Sequence, residues 1–260
     1  MRSIVISVLI CGLILALDGC FTAPTYPVVP NISFAGLSFE RLAAPEFPTL
    51  VLKLNFTDGD GDLGLDPRFE TDTAFVERFY VTRQNQYISS FTLEKFPTVA
   101  LVDFKFVKRN PTLRLPNGSP FPPLNCKNWL QRTKQVNNLP QVQDTVYMES
   151  NESYYNILVD LFIDDGTGNF KIFDPSTSPD FTFPTCPGEN FSGRFPVLSS
   201  DPGKKAPLDG TLTYRIKSLL TEIIIGSKRF KLRVQILDRS YHRSNIIETE
   251  PTTLAAIRTI

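Results

Sequence analysis

The 260-residue chain holds one histidine, His242, and four cysteines. A zinc centre gathers several Cys and His ligands around one ion, so this shortage argues against one. GxSxG and HExxH are missing, and no Cys–His arrangement is present, which leaves out the common nucleophile and metalloprotease patterns. Neither sign of charge is in excess: Lys+Arg and Asp+Glu both total 27. A balanced chain gives no electrostatic reason to bind nucleic acid. Few apolar patterns reach helical length, and there is no internal repeat. What the chain does have is Phe and Pro, 21 of each. That proline share exceeds the usual roughly 5%. With many β-branched residues beside it, this composition favours strands joined by stiff loops.

The N-terminus stands apart from the rest. "MRS" supplies one positive charge, and Ile4 to Leu17 form an uninterrupted apolar run of signal-peptide length. The run is shorter than the roughly 18 to 20 residues that span a bilayer comfortably. It ends in "LDGC", with Cys20 last. This resembles the lipobox of bacterial lipoproteins, with Leu17 three before the cysteine and Gly19 directly before it; Asp18 departs from the small or aliphatic residue usual there. The resemblance implies cleavage before Cys20 and acylation of its thiol. Each buried CH₂ contributes roughly 0.8 kcal/mol, so several long chains would hold the protein at a membrane without a spanning helix. Phe21, and not Asp, follows the cysteine, which points to the outer membrane; which face is occupied stays open.

The expected organisation is a signal peptide over 1–19, a lipidated Cys20 with an extended Pro-rich tether over 20–45, and one domain over 46–260. Cys126 and Cys186 are then the cysteines left to the domain, either as a disulfide or as two free thiols. A bridge closing a loop of that size contributes roughly 4 kcal/mol in the chain-entropy picture.

Within the domain, period-2 alternation marks strands. "LVLKLNFT" (50–57), "YYNILVDLFID" (154–164), "GTLTYRIKS" (210–218) and "KRFKLRVQIL" (228–237) are clear; the last sends Phe230, Leu232, Val234 and Ile236 inward. "FVERFYVTR" (75–83) and "TVALVDFKFVKR" (98–109) also read as strands, and Asp165–Gly166 as a hairpin turn. Residues 110–140 read as loop with one short helix near Trp129, and 173–198 as a Pro-rich loop. The fold class expected is all-β: an immunoglobulin-like β-sandwich with long Pro-rich loops and at most one or two short helices.

One stretch carries chemistry. "NFTDGDGDLGLD" (55–66) places Asp58, Asp60 and Asp62 at alternate positions, with Asp66 beyond. Carboxylates on a sharp turn can converge on one hard cation such as Ca²⁺. It is not an EF-hand: Leu63 stands where the glycine belongs, Phe69 takes the twelfth position, and no helical pattern flanks it. Three readings stay open: a calcium loop of another design, a solvated Asp/Gly-rich turn, or aspartates paired with Arg239 or Arg243 in "LDRSYHRSN" (237–245), which also offers Asp238. "NFTDGDGDLG" and "VQILDRSYHRSNIIET" together resemble paired signatures of uncharacterised Bacteroidetes-type lipoproteins, with His242 in a position those proteins give to Asn. The resemblance implies an envelope location and an immunoglobulin-like fold, and no reaction.

The reading that follows is a lipid-anchored envelope protein that is not an enzyme, a binding or structural module with calcium as its cofactor. Its partners would be the membrane and a polysaccharide or envelope-protein ligand. The alternative is an envelope hydrolase using the Asp-rich loop as metal or acid/base site. Phe121, Trp129, Phe181 and Phe191 are the aromatics that would face a ligand if exposed; core packing is the favoured role for them. Five Asn-x-Ser/Thr triplets, at Asn31, Asn55, Asn117, Asn151 and Asn190, are incidental in a chain with a lipobox.

Overall fold

The structure, a computed structural model, describes residues 24–41, 46–66, 75–174, 191–201, 204–217 and 220–259. The predicted signal peptide, Cys20, Phe181 and Cys186 lie outside the described residues. The protein is mostly β. Twelve strands are described: β1 (Asn31–Glu40), β2 (Thr49–Asp58), β3 (Arg78–Val81), β4 (Tyr87–Ser89), β5 (Trp129–Val136), β6 (Leu139–Ser150), β7 (Ile157–Asp164), β8 (Phe170–Ile172), β9 (Leu208–Lys217), β10 (Phe230–Ile236), β11 (Ile247–Glu248) and β12 (Arg258–Thr259). Three short helices accompany them, α1 (Ser90–Lys95), α2 (Phe104–Arg109) and α3 (Leu220–Ile225), one more than expected.

Alternation decides how the strands pack. In β2, Leu50, Leu52, Leu54 and Phe56 are buried while Lys53 and Asn55 face water. In β10, Phe230, Leu232, Val234 and Ile236 are all fully buried. The first sheet has the order β12-β1-β2-β9 and the second β11-β10-β7-β8. Their inner faces share one core: Leu50, Leu52 and Leu54 from one side, Ile157, Leu161, Leu232 and Val234 from the other. This is a β-sandwich, as expected. β1 begins at Asn31, inside the stretch expected to be tether, and pairs antiparallel with β2 from Asn31↔Thr57 to Glu40↔Thr49. Asp165–Gly166 turns β7 into β8, with Gly166 at φ +91°.

Between β2 and β7 the chain builds a third sheet, β4-β3-β6-β5, in place of the loops and isolated strands expected there. Two expectations fail here. Residues 98–109 are not a strand: Leu101 makes a single bridge to Thr82, and Asp103 then starts α2. The Asp103 carboxylate caps that helix by accepting from the Phe106 amide at 2.9 Å, and Lys108 and Arg109 lie favourably in its last turn. Trp129 lies on a strand, β5, and not on a helix, opposite Tyr147. Its indole donates to the carbonyls of Pro122 and Pro123 at 3.2 and 3.1 Å, so the Pro-rich loop supplies the acceptors a buried indole needs. Phe104, Phe121 and Tyr147 surround the ring. Cys126, three residues earlier, is disulfide-bonded.

Candidate metal centre

The aspartate loop leaves β2 at one end of the sandwich, where β1 and β9 begin and β10 ends. The strand's alternation, which buries Leu54 and Phe56, turns Asp58 inward as well, and it is 0% exposed. The loop then bends tightly. Gly61 and Gly64 have φ of +73° and +97°, and a Cβ on Gly61 would sit 2.3 Å from the Ala206 carbonyl oxygen. Only glycine takes both that conformation and that approach.

The bend carries Asp62 back beneath Asp58, whose Oδ2 accepts from the Asp62 amide at 3.0 Å. The end of β10 meets it from the other sheet. Leu63 bridges Asp238 in antiparallel fashion, the Arg239 amide donates to the Asp62 carbonyl at 3.2 Å, and Ser240 Oγ donates to Asp62 Oδ2 at 2.7 Å. Asp238 is itself held by His242, through the backbone amide to Oδ1 and ring Nδ1 to Oδ2, both at 2.8 Å. Tyr241, at φ +66°, makes that tight return and stacks on Phe75.

One carboxylate oxygen from each of Asp58, Asp62 and Asp238 lies within 4.8 Å of the others, and all three residues are buried. The charges are poorly compensated. Among the described residues, Asp60 Oδ2 is met by Lys205 Nζ, at 3.4 Å, from a lysine that is largely in solvent. Arg239, a candidate partner from sequence, leaves its own Nη1 buried without a hydrogen bond. Burial, followed by the charges of Asp62, Asp60 and Asp238, pushes the Asp58 carboxyl up to about 6. Burial also raises Asp238, with the His242 amide and ring hydrogen bonds opposing it; the ring bond and the Asp238 charge raise the His242 imidazole.

The decisive feature is how the oxygens divide. Among the described residues, Oδ2 of Asp58, Asp60 and Asp62 has a protein partner and Oδ1 is buried with none. A buried acceptor without a partner costs roughly 1–3 kcal/mol, and more when charged. Three in one loop therefore suit a nearby cation, with Asp58 and Asp62 gathered beside Asp238 and Asp60 next to them in the loop. The donors are oxygens only, which fits a hard ion. The reach of the cluster suits the diameter of a calcium shell, roughly 4.6–5.2 Å at twice the Ca–O distance.

Of the four loop aspartates expected as ligands, the structure brings two, Asp58 and Asp62, into the cluster, and Asp60 lies outside it. Asp66 is half-buried and is not one of the clustered carboxylates; Asp238, from the far end of the chain, takes that place. Ser240 and His242 as orienting groups went unread, although their spacing after the end of β10 was in view. Of the candidate ligand-facing aromatics, Trp129 and Phe191 are buried and Phe121 is half-buried against Trp129. The chain matches no protein-family model, no curated protein and no solved structure.

Proposed function

We propose that this is a lipid-anchored protein of the cell envelope, attached at the outer membrane through Cys20, whose sandwich is a non-catalytic binding or structural module locked by calcium at Asp58, Asp60, Asp62 and Asp238. The observation that carries the reading is the set of three buried, partnerless Oδ1 atoms in one loop. The ion would fasten β2 of one sheet to the end of β10 in the other. The lipobox supports the attachment, and among the described residues no helix is long and apolar enough to cross a membrane. The resemblance to Bacteroidetes-type lipoproteins agrees with both, and the ligand expected is a polysaccharide or another envelope protein.

Burial argues against the hydrolase alternative. Acid/base carboxylates must reach a substrate from the walls of a cleft. The clustered aspartates are enclosed, and a cleft of about 700 Å³, walled by Arg78, Tyr155, Arg233 and Arg243, does not include them. Thermal unfolding of the purified chain in calcium and in EDTA tests the proposal. A native-state ligand at a hundredfold excess over Kd adds about 2.7 kcal/mol. For a chain of this size that raises Tm by roughly 5–10 °C. The gain should vanish in Asp60→Ala; equal melting in calcium and EDTA would refute the cation site. Loss of palmitate labelling in Cys20→Ala tests the anchor separately.

A further inference from the structure

Gly59 stands between two of the clustered aspartates. A Cβ built on it would lie 2.4 Å from the Tyr26 carbonyl oxygen and 2.7 Å from that of Pro27. The segment entering β1 therefore rests backbone against backbone on the aspartate loop. Apart from the Tyr26 hydroxyl, which bonds Asp209 in β9, its side chains give it little other hold: Val28 and Val29 are 47% and 48% exposed. Firm anchorage begins at Pro30 and Ile32, which are buried. There the Asn245 side chain takes both the amide and the carbonyl of Ile32, at 2.7 and 2.9 Å.

We propose that the cation site is also a latch for the tether: a divalent cation on the aspartates keeps the loop folded as a shelf for Tyr26–Pro27, and its removal releases residues 24–29. This rests on the cation reading above. Without the ion, carboxylates gathered within 4.8 Å repel one another. The loop's glycines have no side chains to brace it against opening. Once the loop opens, the surface under Tyr26–Pro27 is gone. Ile32, seated in the core and gripped by Asn245, marks where the release stops. Six freed residues add about 20 Å of reach when extended. Cation supply thereby sets how far the domain stands from its attachment.

Amide hydrogen exchange on the full chain, at neutral pH in calcium or in EDTA, tests this. The amides of Tyr26, Val28 and Val29 should exchange at least about tenfold more slowly in calcium. The exposed tip of the β5–β6 hairpin, Lys134 to Gln141, should exchange alike in both. Asp60→Asn should make the tether exchange fast in both conditions. If calcium protects 58–64 and 238–243 but leaves Tyr26 to Val29 unchanged, the latch is wrong and the cation site stands. If calcium protects none of these segments, the cation reading falls and the latch with it.

Discussion

Asp62 works in three directions from one position. Its amide fixes Asp58, its carbonyl receives Arg239, and one carboxylate oxygen receives Ser240. The other oxygen is buried and unpartnered. That division gives a prediction whose sign depends on the medium. Asp62→Asn keeps the shape and removes a charge. In EDTA it relieves repulsion, so the variant should melt at or above the wild-type temperature. In calcium it loses a ligand and should melt lower, by most of the wild-type calcium gain. Melting both proteins in both media checks this, and a variant less stable than wild type in EDTA would contradict it. Asp66→Asn should keep the full calcium response. At this scale the sequence was half legible. Alternate aspartates signal convergence because their spacing is local, whereas Asp238 joins through the bridge that pairs it with Leu63 from the far end of the chain, which no local pattern encodes.

Among the elements, β2, β7 and β10 were readable because each buries one face in the core and leaves residues of the other half-buried or exposed. α2 was not. "TVALVDFKFVKR" alternates like a strand, yet Asp103 pairs its backbone with Val146 and caps a helix with its side chain. The cap prevails over the period. Asp103→Ala should cost about 1 kcal/mol, within the usual range for a lost cap. Burial raises its carboxyl, but the Phe106 amide and the Arg83 guanidinium, 2.8 Å away, outweigh this and hold it below the ordinary 3.8. A depressed carboxylate contributes stability above its unfolded value and loses it as pH falls through the folded one. The Asp103→Ala deficit should therefore be constant at neutral pH and shrink below about pH 4, read by denaturant unfolding across that range. The β5–β6 hairpin escaped notice for another reason. Residues 133–143 are exposed on both faces apart from half-buried Val136, so no alternation is imposed, and only Asn137 and Asn138, both at positive φ, mark the turn.

The whole molecule has more than one core. The sandwich buries its residues in one cluster, while Trp129, Tyr147, Val81 and Val102 form another in the third sheet. Trp129→Ala should cost about 3–5 kcal/mol. The loss should be regional: exchange protection falls in β3 to β6 while Leu232 and Val234 in β10 keep theirs. Uniform loss across both would show a single cooperative unit. The placement of β1 has a mechanical side too. Its first residue is the one nearest the proposed anchor, and its ladder with β2 runs along its whole length. Ladder hydrogen bonds lie across the strands. A tug from the membrane along β1 would therefore load the ladder in shear, all rungs together, and Asn245 would take the strain first at the strand's leading end. Attached this way, the protein would meet a pull with its whole β1–β2 ladder.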